Sequence, residues 1–370
     1  MGRDVNHHVL PYVHGGITPG GSLTGGSVEY PVLTGALMWM GAFFSRTDAG
    51  FLTASALLLA PFGLITAWFL GRLGGWRALW WALGPPLVLY AFHNWDLAAV
   101  ACATAAVFVV HRTSFPLRRR GVLAGALLGL GFAFKIYPAL FALPLALHVF
   151  VAGRRDLRSA LASAGSAAAT AALVNLPFAV LGPAGWWASF EFQSRRKVDL
   201  SSDSVWYWAF RQQTGSDQFQ SLVGVLSPLL IAAAFGAACW WGWRSSRRTG
   251  EYPWLQVSAA ALCGFLLLHK VHSPQYALWL LPFFVLLRVR SGWILAYFAA
   301  DAALGISIFR WLAVGGSITD GFTAQALVIG IWGRAALLVG LYAAFLDAPT
   351  ALDRDLSAPR ATAGSARPTP

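Results

Sequence analysis

Charged residues are scarce in this sequence, and so are cysteines. Only 11% of the 370 residues are charged while 57% are hydrophobic, whereas roughly a quarter of a soluble protein is charged. A chain of this composition needs lipid around it, which excludes an ordinary soluble domain. The three cysteines, Cys102, Cys239 and Cys263, lie in apolar stretches without CxxC spacing and without a cluster of histidine or aspartate beside them. They are predicted to be small core residues rather than metal ligands, and no metal site is expected.

Neither end of the chain contains a long apolar segment. Residues Met1–Val28 are rich in glycine and histidine and lack the apolar core of a signal peptide. From about Ala348 onward the chain is rich in alanine, proline, serine and arginine, so residues 346–370 are predicted to form a disordered cytoplasmic tail. The net charge of +12 does not indicate a nucleic-acid partner, because the arginines lie in short clusters between apolar runs.

Apolar runs fill the rest of the chain and predict an all-α, polytopic transmembrane bundle. A span needs about 20 apolar residues because the hydrocarbon layer is ~30 Å thick and a helix rises ~1.5 Å per residue. By this length eleven spans are predicted, which are Phe51–Leu70, Trp76–Phe92, Leu97–His111, Gly121–Phe134, Tyr137–Val151, Ala160–Leu181, Leu222–Trp243, Trp254–Leu268, Pro274–Leu287, Gly292–Trp311 and Ala324–Phe345. The fourth and fifth spans are short, so we expect each helix to extend into the flanking residues or the two to form a pair of shallow helices. Tyr30–Phe44 is apolar but too short to span, so it is predicted to lie along the outer interface.

The arginines divide the connecting loops into two sets. Alternate loops and the C-terminal tail hold most of the 27 basic residues, so the positive-inside rule assigns these loops to the cytoplasm. An odd number of spans with a cytoplasmic C-terminus places Met1 outside, so either a first span is missing from the given start, making twelve, or the chain is truly N-out. The predicted regions are an outer segment with its interfacial helix (1–50), a bundle with a long outer loop at 182–220 (51–345), and the tail (346–370).

Ionisable residues concentrate on the predicted outer side, which the positive-inside rule would leave poor in positive charge. All three lysines of the protein are there. Besides the long loop, the outer set comprises Asp4, His7, His8, Glu29, His93, Asp96, Lys135, Tyr137, His269, Lys270, His272 and Arg310. This concentration predicts that an anionic group binds at the outer surface.

The long outer loop carries three consecutive cations, Arg195, Arg196 and Lys197, within the aromatic-rich stretch GWWASFEFQSRRKVDLSSDSVWYWAF. One interpretation is that this stretch lies at the membrane interface and delivers the cations to a phosphate group. The alternative is a solvated loop that its tryptophans anchor. Three cations on the outer side run against the topological bias, which favours the first interpretation.

Four further charged residues lie at the ends of spans or within them. Lys135 and Lys270 each end a predicted span on the outer side, where a lysine either snorkels to the interface or binds a ligand. A proline follows each closely, and such helix breaks are tolerated next to a cavity. Asp301 and Arg334 lie at similar depth in the last two spans. They are predicted to form a structural ion pair, because an unpaired charge there would cost at least ~2.5 kcal/mol.

Six short strings in this order resemble one known family. They are EYPVLTG (29–35), NWDLAAV (94–100), FKIYPALF (134–141), NLPFA (175–179), FEFQSRRKVD followed by SVWYW, and HKVHSPQYALWLLP (269–282). The similarity extends over about residues 4–345, and the chain resembles glycosyltransferase family 87, a family of actinobacterial membrane enzymes with the GT-C fold. The resemblance implies transfer of a sugar, typically mannose, from a polyprenyl-phosphate donor to a cell-envelope glycolipid or glycan.

The resemblance also implies roles for particular residues. In GT-C enzymes the catalytic carboxylate follows the first span, which implies that Asp4, in GRDVNHHVLPYV, is the general base for an inverting attack by the acceptor hydroxyl. The residues that would stabilise the leaving phosphate are Arg195, Arg196, Lys197, Lys135, Lys270 and Arg310. Those that would hold sugar hydroxyls or assist the base are Glu29, Asp96, His269, His272, Tyr137 and Gln275. This arrangement requires no metal and no other cofactor.

Two other classes of function compete with this one. A transporter or flippase of a lipid-linked sugar would use the same basic surface, but it should also show polar residues through the bundle and an internal repeat. A non-catalytic membrane scaffold explains neither the outer lysines nor the family strings. The sequence therefore favours a multi-pass plasma-membrane glycosyltransferase with an extracytoplasmic active site, whose partners are a polyprenyl-phosphate sugar and a lipid or glycan acceptor.

Overall fold

The computed structural model describes residues 9–199, 201–313 and 321–352, and these are mostly helical. Near the N-terminus, β1 (Gly16–Ile17) pairs with β2 (Leu23–Thr24) in a short antiparallel hairpin. The prediction of an all-α protein is confirmed by the order of elements along the chain.

The helices follow one another with short connections. The first half of the chain forms α1 (Val32–Phe43), α2 (Asp48–Gly74), α3 (Leu79–Ala82), α4 (Pro85–Tyr90), α5 (Asp96–Arg112), α6 (Leu117–Phe134), α7 (Ala142–Ala152) and α8 (Leu157–Leu181). The second half forms α9 (Pro183–Arg195), α10 (Val205–Ala209), α11 (Asp217–Thr249), α12 (Trp254–Leu268), α13 (Ala277–Leu286), α14 (Ser291–Ala313), α15 (Gly321–Val328) and α16 (Arg334–Asp347). Short 3-10 helices cover Gly75–Ala78, Tyr137–Phe141, Arg211–Gln213 and Pro274–Tyr276, and a π-helical segment covers Ile329–Gly333.

Within the described residues, five helical segments are long and apolar enough to cross a membrane. They are Asp48–Ala82, Leu157–Leu181, Asp217–Thr249, Ser291–Ala313 and Gly321–Asp347. Only 6% of the apolar window of Leu157–Leu181 is buried within the protein, so lipid must cover the remainder of that surface. The chain is an integral membrane protein, as predicted, while the number of eleven spans stays a prediction.

The second predicted span, Trp76–Phe92, is wrong as a continuous helix. It is divided among a 3-10 turn, α3 and α4, and the break falls at Gly84. Pro85 and Pro86 have no N–H to donate to a preceding turn, so a helix cannot continue through them. Arg77, in the 3-10 turn, donates hydrogen bonds to the carbonyl oxygens of Phe284, Val285 and Leu287 at 2.7–3.0 Å. This arginine therefore satisfies carbonyl groups at the end of α13.

Glycines allow α6 and α8 to approach closely. Gly121, Gly125 and Gly129 recur every four residues on one face of α6. A Cβ atom on Gly125 would overlap the carbonyl oxygen of Ser163, and one on Gly129 would overlap that of Ala167. Small residues at such spacing let two helix backbones meet, which is a principal source of packing energy between helices in lipid. The pair α6–α8 forms one wall of the bundle.

Two short helices run through the centre of the bundle. Every residue of α13 is buried, and most residues of α12 are buried as well. A helix that is apolar on all sides lies either in lipid or inside a protein, and here the rest of the protein covers both helices. The loop between these two helices, 269–273, is thereby held at one end of the bundle, where the candidate site lies.

The predicted ion pair between Asp301 and Arg334 is not formed as a direct contact within the described part of the chain. Both residues are buried, but neither carboxylate oxygen of Asp301 has a hydrogen-bond partner among residues 9–199, 201–313 and 321–352. Arg334 follows the π-helical segment and donates instead to the backbone carbonyl of Asp203, at 3.4 Å. A π-helical turn inserts one residue into the helix repeat, which changes the direction of the side chains that follow it.

The predicted tail begins as ordered chain. The N–H of Ala351 donates to the carbonyl of Leu286 at 2.7 Å, and the carbonyl of Pro349 accepts from Arg288 at 2.8 Å. Residues up to 352 thus pack against the end of α13, and residues 353–370 lie outside those that the structure describes.

Candidate active site

One cavity of about 390 Å³ collects side chains from distant parts of the chain. The start of α1, the turn before α5, the ends of α6, α9 and α14, and the loop between α12 and α13 all border it. The predicted site residues that line it are Glu29, Lys135, Tyr137, Arg196, His269 and Gln275. Segments that the predicted topology assigned to the outer side therefore meet at one end of the bundle.

Lys135 is the cation most deeply enclosed in the cavity wall. Its ammonium lies 3.6 Å from Asp96 Oδ1 and 3.3 Å from Asn94 Oδ1, and it stands 4.1 Å above the ring of Tyr30. Asp96 is fully buried and also accepts a hydrogen bond of 2.7 Å from the indole N–H of Trp279. Because Asp96 does not line the cavity, it holds Lys135 in place rather than contacting a ligand.

Arg196 is the second cation of the cavity. Its Nη1 donates to Glu29 Oε2 at 3.0 Å, and the amide of Gln193 donates to the Glu29 backbone carbonyl at 2.7 Å. Glu29 is thus engaged by a cation, although it was predicted as a carboxylate that contacts sugar. The pair leaves Arg196 partly exposed, so its remaining N–H groups are available to an anion in the cavity.

The other two cations of the basic triplet lie outside the cavity. Arg195 and Lys197 border a neighbouring groove of about 650 Å³, together with the turn of the β hairpin. Arg195 pairs with Glu191 at 2.5 Å and Lys197 with Asp217 at 3.1 Å. Of these three consecutive residues, Arg195 and Lys197 therefore border the groove alone, whereas Arg196 borders both the groove and the cavity.

Lys270 and Arg310, which were also predicted to bind the donor phosphate, do not line the cavity. The ammonium of Lys270 donates to the backbone carbonyl of Ser194 at 3.1 Å, which ties the loop between α12 and α13 to the end of α9. Burial lowers the pKa of this amine below its ordinary value. Arg310 lies near the end of α14, beside the cavity residue Phe309.

The two predicted histidines occupy different environments. His269 lines the cavity, and its Nδ1 lies 2.5 Å from the carbonyl oxygen of Val271. The N–H of Val271 lies 3.3 Å from the same nitrogen, so the backbone of Val271 fixes the orientation of the ring. His272 is buried away from the cavity, and neither ring nitrogen has a partner within the described residues. Burial lowers the pKa of both imidazoles, that of His272 well below its ordinary value, so both are neutral at pH 7.

Stacked aromatic rings form the inner wall of the cavity. Trp279 lies between Tyr137 and Tyr276, with ring centroids 4.3 Å and 4.1 Å away. Gln275 also lines the cavity, and its Oε1 has no hydrogen-bond partner in the described part of the protein. Aromatic faces beside amide groups are suited to a ligand with both apolar and polar edges.

Asp203 lines the cavity too, and sequence reasoning missed it. Burial raises the pKa of its carboxyl group to about 7, and the positive charge of Arg334 acts in the opposite direction. The only sequence signal was the polar run Ser201–Ser204 in an otherwise aromatic stretch. Asn94 and Gln193, which position Lys135 and Glu29, were missed as well.

The predicted general base, Asp4, lies outside the described residues, as do His7 and His8. The first described residues, from Val9 onward, lead into the segment beside the cavity: Tyr12 donates to the carbonyl oxygens of Tyr30 and Pro31 at 2.8 Å and 3.1 Å.

Comparison with known families shows to which family this chain belongs. The model of glycosyltransferase family 87 matches residues 29–270, more than half of the chain. The chain belongs to glycosyltransferase family 87. This confirms the resemblance noted in the sequence, and the matched region contains most of the residues that line the cavity. Asp4 precedes the matched region.

One curated relative and one solved structure are similar to this member of family 87. The polyprenol-phosphate-mannose-dependent alpha-(1-2)-phosphatidylinositol mannoside mannosyltransferase of Mycobacterium tuberculosis is 27% identical over 292 residues, which are 78% of this chain and 63% of the relative. The chain thus spans less than two thirds of that relative. The crystal structure of ArnT from Cupriavidus metallidurans bound to undecaprenyl phosphate matches with a TM-score of 0.46 and 15% identity, covering 93% of this chain and 74% of ArnT.

Proposed function

We propose that this protein is an integral-membrane glycosyltransferase that moves a sugar, expected to be mannose, from a polyprenyl-phosphate donor to a cell-envelope glycolipid or glycan. The observation that carries the proposal is the cavity at one end of the bundle, where two cations, several amides and an apolar edge border one space. Membership of family 87 supports glycosyl transfer. The mannosyl donor in the name of the mycobacterial relative supports mannose. The distribution of arginines supports the extracytoplasmic side of the plasma membrane.

The charge of the cavity and its apolar edge support a donor that carries both a phosphate and a lipid chain. Lys135 and Arg196 supply the positive charge that a phosphate diester requires. Phe309 and Leu312, both about two-fifths exposed on α14, and Ile136 give the cavity an apolar edge toward the surroundings. A polyprenyl chain can lie along this edge in lipid while its phosphate enters the cavity.

The chemistry follows from these positions. The acceptor hydroxyl attacks the anomeric carbon and loses its proton to a carboxylate, while the bond between that carbon and the phosphate oxygen breaks. The electron pair leaves with the phosphate, and Arg196 and Lys135 stabilise the charge that develops there. Attack from the face opposite the leaving group inverts the configuration. We propose Asp4 as the base, the role that the family resemblance implies for it, while Glu29 is paired with Arg196 and Asp96 with Lys135.

Transfer in reconstituted vesicles tests this proposal. The purified protein is incubated with polyprenyl-phosphate mannose carrying a radiolabelled sugar, in membranes that contain envelope lipids as acceptors. We expect label to move into an acceptor, and Asp4→Asn to reduce the rate by about 10²–10⁴-fold while donor binding is retained. Normal transfer by Asp4→Asn would move the role of base to another carboxylate.

The same vesicles separate transfer from transport. A flippase would move labelled donor between leaflets without creating a labelled acceptor, and this movement would not depend on acceptor concentration. Labelled donor that changes leaflet but never reaches an acceptor would contradict the proposed function. A rate that saturates with both donor and acceptor would support it.

A further inference from the structure

The carboxylates around the cavity differ in whether another side chain engages them. Glu29 receives a hydrogen bond from Arg196, and Asp96 is engaged by Lys135 and Trp279. Asp203 is only 4% exposed, and within the described residues no hydrogen bond or ion pair engages its carboxylate, on which Arg334 acts through its charge. Such a group is expensive to bury unless a partner arrives from elsewhere. Since Asp203 lines the cavity, the missing partner belongs there.

The backbone of Asp203 is firmly held although its side chain is unpaired. Its N–H donates to the carbonyl of His272 at 3.1 Å, and its own carbonyl accepts from Arg334 at 3.4 Å. The hydroxyl of Ser202 accepts from the N–H of His272 at 3.2 Å, so two loops are joined at this point. A carboxylate on such a support is positioned before any ligand binds, which lowers the entropy lost on binding.

Two hydrogen-bond acceptors that line the cavity, Asp203 and Gln275, indicate which kind of ligand can bind beside them. An ionised carboxylate only accepts hydrogen bonds, and the carboxamide oxygen of Gln275, which also lines the cavity, is buried and unpartnered. Acceptors require a ligand that donates, and hydroxyl groups do so. A phosphate would be repelled by Asp203 and attracted to Arg196 and Lys135 instead.

We propose that Asp203 accepts hydrogen bonds from hydroxyl groups of the sugar on the donor, with Gln275 as its neighbour in the same subsite. This inference rests on the proposed function, which brings a sugar into the cavity. It gives the donor an orientation: the sugar hydroxyls lie toward Asp203 and the phosphate toward Arg196 and Lys135. Asp203 is in this sense a substrate-binding residue that discriminates sugar-bearing from sugar-free lipid.

Two ligands that differ only by the sugar test the assignment. Binding of short-chain polyprenyl-phosphate mannose, and of the same polyprenyl phosphate without sugar, is measured with the full-length protein in nanodiscs. For Asp203→Asn we expect the dissociation constant of the mannose-bearing lipid to rise about 10-fold, the loss typical of a hydrogen bond to a charged group. Binding of the sugar-free lipid should be unchanged, which also shows that the variant is folded.

Asp301→Asn is the matched control, because Asp301 is an equally buried carboxylate that does not line the cavity and has no hydrogen-bond partner among the described residues. It should leave the ratio of the two dissociation constants as in the natural protein. If Asp203→Asn binds both lipids as the natural protein does, or weakens both equally, the sugar subsite is overturned. If the natural protein binds neither lipid, both the proposed function and the sugar subsite are overturned.

Discussion

At the residue scale, the pair of Lys135 and Asp96 joins the stability of the bundle to the charge of the cavity. Both side chains are almost fully enclosed, at 7% and 0% exposure. Taking one of two paired charges away from a buried site leaves the other uncompensated, which is more harmful than removing both. The same contact keeps an ammonium group at the cavity wall, where the proposed donor would present its phosphate.

Lys135→Met should therefore destabilise the protein by about 3–5 kcal/mol. Adding Asp96→Asn should recover much of this stability, because no buried charge then remains, while transfer from the polyprenyl donor stays impaired. Thermal unfolding in detergent and the transfer assay measure the two effects separately. Equal stability of the single and double variants would show that the two side chains do not interact.

The division of the basic triplet leads to a second prediction. Arg196→Ala should raise the apparent KM for the donor by about 10-fold or more, because a charge-assisted hydrogen bond to phosphate is lost. Arg195→Ala is the matched control, since Arg195 is adjacent to Arg196 in the chain but borders the neighbouring groove and not the cavity. Its donor KM should change little. Equal effects of the two substitutions on donor KM would contradict the assignment of phosphate binding to the cavity.

The pKa of Asp203 predicts how sugar binding depends on pH. Burial raises it to about 7, so the carboxyl is ionised above that pH and protonated below it. The ionised form is the stronger acceptor, so mannose-bearing lipid should bind more weakly as the pH falls from 8 to 6, and Asp203→Asn should lose this dependence. The titratable or charged groups around it are Arg334, His272, Asp301, Tyr90 and Tyr276. A pH dependence that persists in Asp203→Asn would assign the titration to another group.

At the scale of elements, the contact between α6 and α8 depends on glycines, which have no side chain to keep the two backbones apart. α6 ends at Phe134, immediately before Lys135, and α8 leads directly into α9 and Arg196. The distance between the two helices therefore influences where both cavity cations stand. Helix association in lipid relies on such close packing, because the lipid chains provide no hydrophobic drive between helices.

Gly125→Leu should separate these helices, since any Cβ there meets the backbone of Ser163. We expect lower thermal stability and lower transfer activity, with a loss of roughly 1–3 kcal/mol from overpacking. Gly165→Leu is the control, because this glycine lies on α8 and a Cβ atom added to it would meet open space. Its unfolding temperature should stay near that of the natural protein, apart from a gain in helix propensity. Comparable destabilisation by both would disprove the packing argument.

At the scale of the whole molecule, α11 offers a direct test of orientation. This helix of 33 residues extends from Asp217, near the segments that border the cavity, to Thr249 beside an arginine cluster. At ~1.5 Å per residue it is long enough to cross the hydrocarbon and emerge on both sides. We therefore expect its two ends to face different compartments.

Single cysteines at the exposed positions Gln212 and Arg248, in a background without Cys102, Cys239 and Cys263, are the proposed probes. A membrane-impermeant thiol reagent applied to intact cells should label Gln212→Cys and leave Arg248→Cys unlabelled until the cells are opened. The reverse result would place the cavity in the cytoplasm and contradict the proposed extracytoplasmic reaction. Labelling of both positions in intact cells would show that α11 does not span.

Much of the fold was predictable because apolar runs must match the thickness of the bilayer. The predicted spans around α2, α5, α8 and α14 differ from the helices mainly in their boundaries. The failure at 76–92 has a local cause, since two consecutive prolines interrupt a run whose hydropathy alone indicates a span. For the site, charge sign and topology led to Lys135 and Arg196. Similar charges at Lys270 and Arg195 led equally to residues that lie outside the cavity.

The sequence by itself determined that this chain enters a membrane as helices, because composition and run length decide what lipid accepts. It also carried the family resemblance, since the strings that identify family 87 are local. Only the tertiary structure decided which of the cations share a cavity and that Arg334 reaches the backbone of Asp203 instead of Asp301. It also decided that no described residue pairs with the Asp203 carboxylate. These depend on the directions in which side chains leave neighbouring loops and helices, and such directions are set by packing between segments far apart in the chain.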